Sequence, residues 1–106
     1  MLCIQLKRWR TNRAQDALLH DVRCDEELRC QGTVYLRRSV VCHMGATPRS
    51  GHYTCRIHYP SPNGACWYYN NSERRQATPD EFLSIARVRG SVERAYLVFY
   101  ERQASA

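Results

Sequence analysis

Two features of the chain could do chemistry together: a histidine set directly after a glycine, Gly51-His52, and a pair of asparagines, Asn70-Asn71. Between them run two aromatic-rich stretches, His52 to Tyr59 (HYTCRIHY) and Ala65 to Tyr69 (ACWYY), separated by Pro60-Ser61-Pro62-Asn63-Gly64. Such runs on either side of a Pro/Asn/Gly turn predict a β-hairpin. With 60–63 as the connection, the register sets His52 opposite residue 71, within about two positions. An imidazole and a side-chain amide at the open end of one hairpin are two parts of a Cys-His-Asn arrangement. There the amide oxygen fixes the imidazole tautomer, and the imidazole takes the proton of a thiol. A surface hairpin with an exposed histidine and an Asn-Asn turn accounts for the same residues at least as well.

The elements that must hold these residues are mostly strands. Leu2, Ile4 and Leu6 alternate with Cys3, Gln5 and Lys7, a period of two that predicts a half-buried strand. Val34 to Met44 (VYLRRSVVCHM) is rich in β-branched and aromatic residues and predicts a second. Gly45 to Gly51 (GATPRSG) reads as a loop delivering the chain to His52. In the hairpin, Tyr53, Cys55, Ile57 and Tyr59 share one face, opposite Thr54, Arg56 and His58. The polar stretch 10–32 reads as a loop with short extended pieces around Leu18-Leu19. Thr78-Pro79-Asp80-Glu81 has the order of an N-cap, a first-turn proline and a capping-box glutamate, and Phe82, Ile85 and Ala86 follow at helical spacing. These predict one short helix over 79–87. Ala95 to Tyr100 (AYLVFY) is apolar on both faces and predicts a strand covered on both sides. The fold class expected is therefore α+β, a mostly antiparallel sheet with one short helix.

With 106 residues the chain is one domain or part of one, and it shows no internal boundary, repeat or low-complexity segment. Its apolar content of 43% and charged content of 25% are those of an ordinary globular protein. No apolar run has the length of a membrane helix or a signal peptide, so secretion is unsupported. The net charge of +6 invites a nucleic-acid reading. Its arginines, among them Arg8, Arg23, Arg37, Arg56, Arg74, Arg87 and Arg102, are instead spread along the whole chain, with no block of five like charges. Six cysteines (Cys3, Cys24, Cys30, Cys42, Cys55, Cys66) read as reduced thiols, mostly buried as small hydrophobes. No Cys-x-x-Cys or His-x-x-x-His pair sets up zinc geometry, so neither a metal nor another cofactor is expected.

The local strings then carry a resemblance. Tyr35-Leu36-Arg37-Arg38-Ser39-Val40-Val41-Cys42-His43-Met44-Gly45, followed by Ser50-Gly51-His52-Tyr53-Thr54, resembles the histidine box of the ubiquitin-specific proteases. Trp67-Tyr68-Tyr69-Asn70-Asn71-Ser72 is similar to their next box, an aromatic strand ending in Asp/Asn-Asp-Ser. Ala95-Tyr96-Leu97-Val98-Phe99-Tyr100-Glu101-Arg102 resembles the strand that closes their catalytic domain. Leu2 to Trp9 (LCIQLKRW) looks like the Leu-x-x-x-Leu-Lys-Arg-Phe strand that precedes these boxes, with Trp9 in place of Phe. The boxes stand in the family's order and cover nearly the whole chain.

The resemblance implies a papain-like cysteine peptidase domain that cleaves after the carboxy-terminal glycine of ubiquitin. His52 would be the general base and Asn70 its orienting partner. Gly51 and Tyr53 would line the channel for ubiquitin's carboxy-terminal glycines, with Gly45 at the base of the framing loop. Asn71 would lie beside the substrate, in place of the family's usual Asp. His43 matches a position near the site and equally suits a structural histidine at a strand end. The family's Asn-x-x-Cys-Tyr nucleophile box is missing from residues 1–106, as are its paired Cys-x-x-Cys zinc motifs. The chain therefore reads as the carboxy-terminal part of the catalytic domain, base and orienter without nucleophile, inactive alone. Its implied partners are ubiquitin, ubiquitinated proteins and the amino-terminal half of the domain, in a cytoplasmic or nuclear setting. A non-catalytic ubiquitin-binding module and, more remotely, a basic nucleic-acid-binding β domain are the other readings.

Overall fold

The structure, a computed structural model, describes residues 1–7, 9–10, 13–17, 22, 24–45, 51–59, 64–78, 82, 85–88 and 91–103. Ten strands are described: β1 (Leu2–Gln5), β2 (Trp9–Arg10), β3 (Arg13–Ala17), β4 (Glu27–Cys30), β5 (Thr33–Met44), β6 (His52–His58), β7 (Cys66–Asn70), β8 (Glu73–Gln76), β9 (Ile85–Val88) and β10 (Ser91–Arg102). Eight of them form one sheet in the order β1-β10-β5-β6-β7-β8, with β4 beside β5 and β9 beside β10; β2 and β3 pair separately. Every described pairing is antiparallel.

The 12-residue strands β5 and β10 form the spine. They pair from Arg94↔His43 to Arg102↔Tyr35, and register shifts after Ala95 and Phe99 bend the ladder. Val40, Cys42, Ala95, Val98 and Tyr100 come from these two strands and are buried together with Phe82. Leu2, Ile4 and Leu6, the buried face of the expected half-buried strand, pack against this core because β1 docks on β10.

The expected helix is corrected. Phe82 sits in a 3₁₀ turn, Ile85–Val88 is strand β9, and Pro79 to Glu81 lie outside the described residues. The apolar positions 82, 85, 86 and 88 suit either structure, since a short apolar run is ambiguous by period. A nine-residue helix (79–87) is marginal in isolation. Pairing Ile85 to Val88 with Ser91 to Arg94 across a two-residue connection satisfies their backbone groups in a ladder instead. The described part of the fold is thus essentially all β rather than α+β.

The loop expected over 10–32 is corrected too, by β3 and β4; Leu18-Leu19 lies outside the described residues. β4 forms against β5 through a tight turn in which Gln31 (φ 51°) and Gly32 (φ 78°) are both left-handed, the backbone of a two-residue hairpin. The β6–β7 hairpin matches its sequence reading within a residue at each end, with Cys55↔Tyr69 and His58↔Cys66 fixing the register.

Candidate functional site

His52 opens β6 level with Met44, the last residue of β5. The chain reaches it through Gly51 (φ 110°), a backbone state that L side chains rarely adopt. A Cβ there would overlap the Met44 carbonyl oxygen and come within 3.1 Å of His43 Nε2. Glycine before the histidine is therefore a steric requirement of bringing β6 against the end of β5. At the other end of the loop, Gly45 has φ 134° and its carbonyl accepts a hydrogen bond from the Arg94 guanidinium. Burial holds Arg94 below the usual arginine range. Residues 46–50 lie outside the described part.

The register carried on from Cys55↔Tyr69 puts Asn70 level with Thr54 and His52 two residues further out. His52, Thr54 and Arg56 then share a face with Tyr68 and Asn70, because side chains alternate along each strand. His52 Nε2 and Asn70 Oδ1 are in direct hydrogen-bond contact across the two strands. An amide oxygen only accepts, so Nε2 carries the hydrogen and the neutral ring keeps its lone pair on Nδ1. This orientation of the ring leaves Nδ1 to take a proton.

Behind Asn70 lies a buried polar cluster that the sequence reading did not contain. Asn70 Nδ2 donates to Tyr68 Oη at 3.4 Å, and Tyr68 Oη donates to Glu93 Oε2 at 3.2 Å. Glu93 Oε1 accepts from Arg56 Nη2 at 2.9 Å and from the Thr54 hydroxyl. Arg56 Nη1 donates to Thr54 Oγ1 at 3.3 Å. Arg56 and Glu93 are 0% and 1% exposed, so the face of β6 that is buried is the polar one. Nothing in a local alternation signals this, because arginine and glutamate are mostly surface residues. Burial and the neighbouring Glu93 push the Tyr68 hydroxyl up, and burial does the same to Tyr53.

Tyr53 is on the opposite face and exposed, its ring 4.6 Å from that of His43 and 6.1 Å from that of Tyr96. His43 is buried at the strand end, against the space Gly51 leaves, as a structural histidine would be. Asn71 is exposed, in the β7–β8 turn with φ 54°, a conformation asparagine tolerates well. Among the described residues no thiol is hydrogen-bonded to His52. None of the six cysteines is in a disulfide: Cys3 and Cys30 are exposed, and burial pushes Cys42 up to about 12 and also raises Cys55 and Cys66. A cavity of about 260 Å³ opens elsewhere on the sheet, lined by Glu26, Arg37, His58, Cys66 and Phe82; neither His52 nor Asn70 reaches it. Among the described residues no cluster of three His, Cys, Asp or Glu side chains could hold a metal ion, and no helix is long and apolar enough to cross a membrane.

Comparison with known proteins adds an independent line. The family profile of ubiquitin carboxyl-terminal hydrolase matches residues 1–100. A search of curated protein sequences finds no match. Among solved structures, the Ubp8-Sgf11-Sgf73-Sus1 SAGA DUB module contains a chain of similar fold, with TM-score 0.75 and 24% identity over 97% of this chain. A second structure of the SAGA Ubp8/Sgf11/Sus1/Sgf73 DUB module gives TM-score 0.75 and 23% identity over 98% of this chain. A yeast SAGA DUB module carrying an Sgf73 mutant gives TM-score 0.72 and 24% identity over 98%. The chain spans about a quarter of the matched chains' length, 23–24%.

Proposed function

Since the chain belongs to the ubiquitin carboxyl-terminal hydrolase family, we propose that it is the carboxy-terminal part of a ubiquitin-specific protease catalytic domain and supplies the base of a cysteine-type deubiquitinase. One observation carries this reading: His52 is bonded to Asn70 through Nε2, which leaves the lone pair of Nδ1 for the proton-taking role. In this role the imidazole takes the proton of a thiol, the thiolate attacks the carbonyl of ubiquitin's last glycine, and the imidazolium returns the proton to the leaving amine. Asn70 holds the ring through both transfers. Gly51, Tyr53, Gly45 and Asn71 are assigned as contacts for the carboxy-terminal tail of ubiquitin. Tyr53, on the outward face, is the one with a large surface to offer.

The attacking thiol is assigned to residues outside this chain, in the amino-terminal half of the domain. The raised Cys42, Cys55 and Cys66 support that assignment, because a reactive cysteine has a lowered pKa and an electropositive setting. The cellular setting is proposed as cytoplasmic or nuclear, where ubiquitinated proteins are found.

The test is turnover of a fluorogenic ubiquitin substrate. The 106-residue chain alone gives none, and a thiol-reactive ubiquitin probe leaves it unlabelled. Turnover by this chain that vanishes with His52→Ala would overturn the assignment of the nucleophile. A protein containing this chain together with a nucleophile segment turns the substrate over, and His52→Ala abolishes it.

A further inference from the structure

We infer that Tyr68, held by the Arg56–Glu93 ion pair, is a positioning residue that sets the tautomer of His52 by fixing which way the Asn70 amide faces. The inference rests on the reading of His52 and Asn70 given above. It follows from counting donors and acceptors along one chain of hydrogen bonds. Glu93, ion-paired to Arg56 at 2.9 Å, offers only acceptors. The single hydroxyl proton of Tyr68 is therefore committed to Glu93 Oε2, at 3.2 Å. Toward Asn70 the tyrosine oxygen can then only accept. Asn70 must turn its NH₂ group to Tyr68, at 3.4 Å, and its carbonyl oxygen to His52. That oxygen accepts as well, so His52 must present Nε2–H, and the lone pair falls on Nδ1. A carboxylate on β10 thus dictates the protonation pattern of a ring on β6 through three successive bonds.

The arrangement answers a weakness of an amide as orienter. Asparagine has one accepting and one donating end of nearly equal size, and either can face the ring. Aspartate would accept at both ends and would have no such ambiguity. The buried cluster removes the ambiguity for asparagine. Its geometry is itself held: the guanidinium carbons of Arg56 and Arg75 lie 5.2 and 4.2 Å from the centre of the Tyr68 ring.

The test is the ¹⁵N spectrum of the His52 ring, in the protein at its natural length and at a pH where the ring is neutral. The four histidines of the chain are distinguished by loss of one signal in His52→Gln. In the parent, Nε2 resonates as the protonated nitrogen and Nδ1 as the bare one. In Tyr68→Phe the amide is released, and the two shifts move toward each other as the tautomers mix. In an Asn70→Asp background Tyr68→Phe leaves them in place, since both ends of residue 70 then accept. An equal effect in both backgrounds would mean that Tyr68 acts only through packing, and would overturn the inference. No change in Tyr68→Phe, with Asn70→Ala altering the shifts, would overturn it while leaving the His52–Asn70 pair intact. Unchanged shifts in Asn70→Ala would overturn the pair itself.

Discussion

An imidazole held by a neutral amide differs as a base from one held by a carboxylate. The amide orients the ring through Nε2 and carries no charge of its own, so Asn70 acts on His52 as a positioning group. The thiols of the chain show the complementary side. Cys42 is 1% exposed, and burial lifts it from 9.0 to about 12, against a smaller opposing pull from Arg56. The sign follows from linkage: the folded state favours the neutral thiol, so stability is intact below pH 9 and is lost as pH rises toward 12. That loss amounts to at most ~4 kcal/mol, and Cys42→Ala makes the alkaline slope of the unfolding free energy shallower. At neutral pH, thiol alkylation mapped by mass spectrometry modifies exposed Cys3 and Cys30 first and Cys42 only after denaturation. A native cysteine reacting faster than Cys3 and Cys30, and slowed by His52→Ala, would place the nucleophile within this chain.

The strands that carry the site were the legible ones. β5, β6, β7 and β10 are rich in β-branched and aromatic residues, and their turns are marked by Gly, Pro and Asn. β4 (ELRC) and β8 (ERRQ) have no such pattern; they exist because tight turns fold them back on neighbours that satisfy their backbones. β9 was misread as helix for the same reason, since its partner and not its own spacing decides its form. Two glycines separate turn chemistry from site construction. Gly32 has open space around a Cβ, so Gly32→Ala meets only the left-handed backbone, about 1–2 kcal/mol. Gly51→Ala meets the same strain and also the Met44 carbonyl, so it costs more. Denaturant unfolding of the two variants shows a lower midpoint for Gly51→Ala, and only Gly51→Ala disturbs the His52 ring signals. Equal losses would mean that the approach of β6 to β5 at Gly51 is not tight.

Across the whole molecule, the sheet brings β6, β7 and β10 to one buried polar cluster that no local string announces. Arg56 and Glu93 are 37 residues apart, and each alone reads as a surface charge. Their pairing is visible only once β5 sets β6 and β10 on either side of it. Removing one partner strands the other charge in the interior, so Arg56→Leu costs about 3–5 kcal/mol of unfolding free energy. The double change Arg56→Leu with Glu93→Leu costs less than the two single changes together, as a denaturant double-mutant cycle shows. His52 and Asn70, by contrast, were legible from their hairpin because 18 residues and one turn are enough to bring them together. The central claim is that Asn70, and not Asn71, holds His52. NMR titration of the His52 ring in Asn70→Asp and Asn71→Asp tests it most directly. A carboxylate at position 70 touches the ring and raises its titration midpoint by about one unit or more. At exposed position 71, in the β7–β8 turn, the same charge is screened by water and raises it less. Equal shifts, or a larger one at residue 71, would contradict the account.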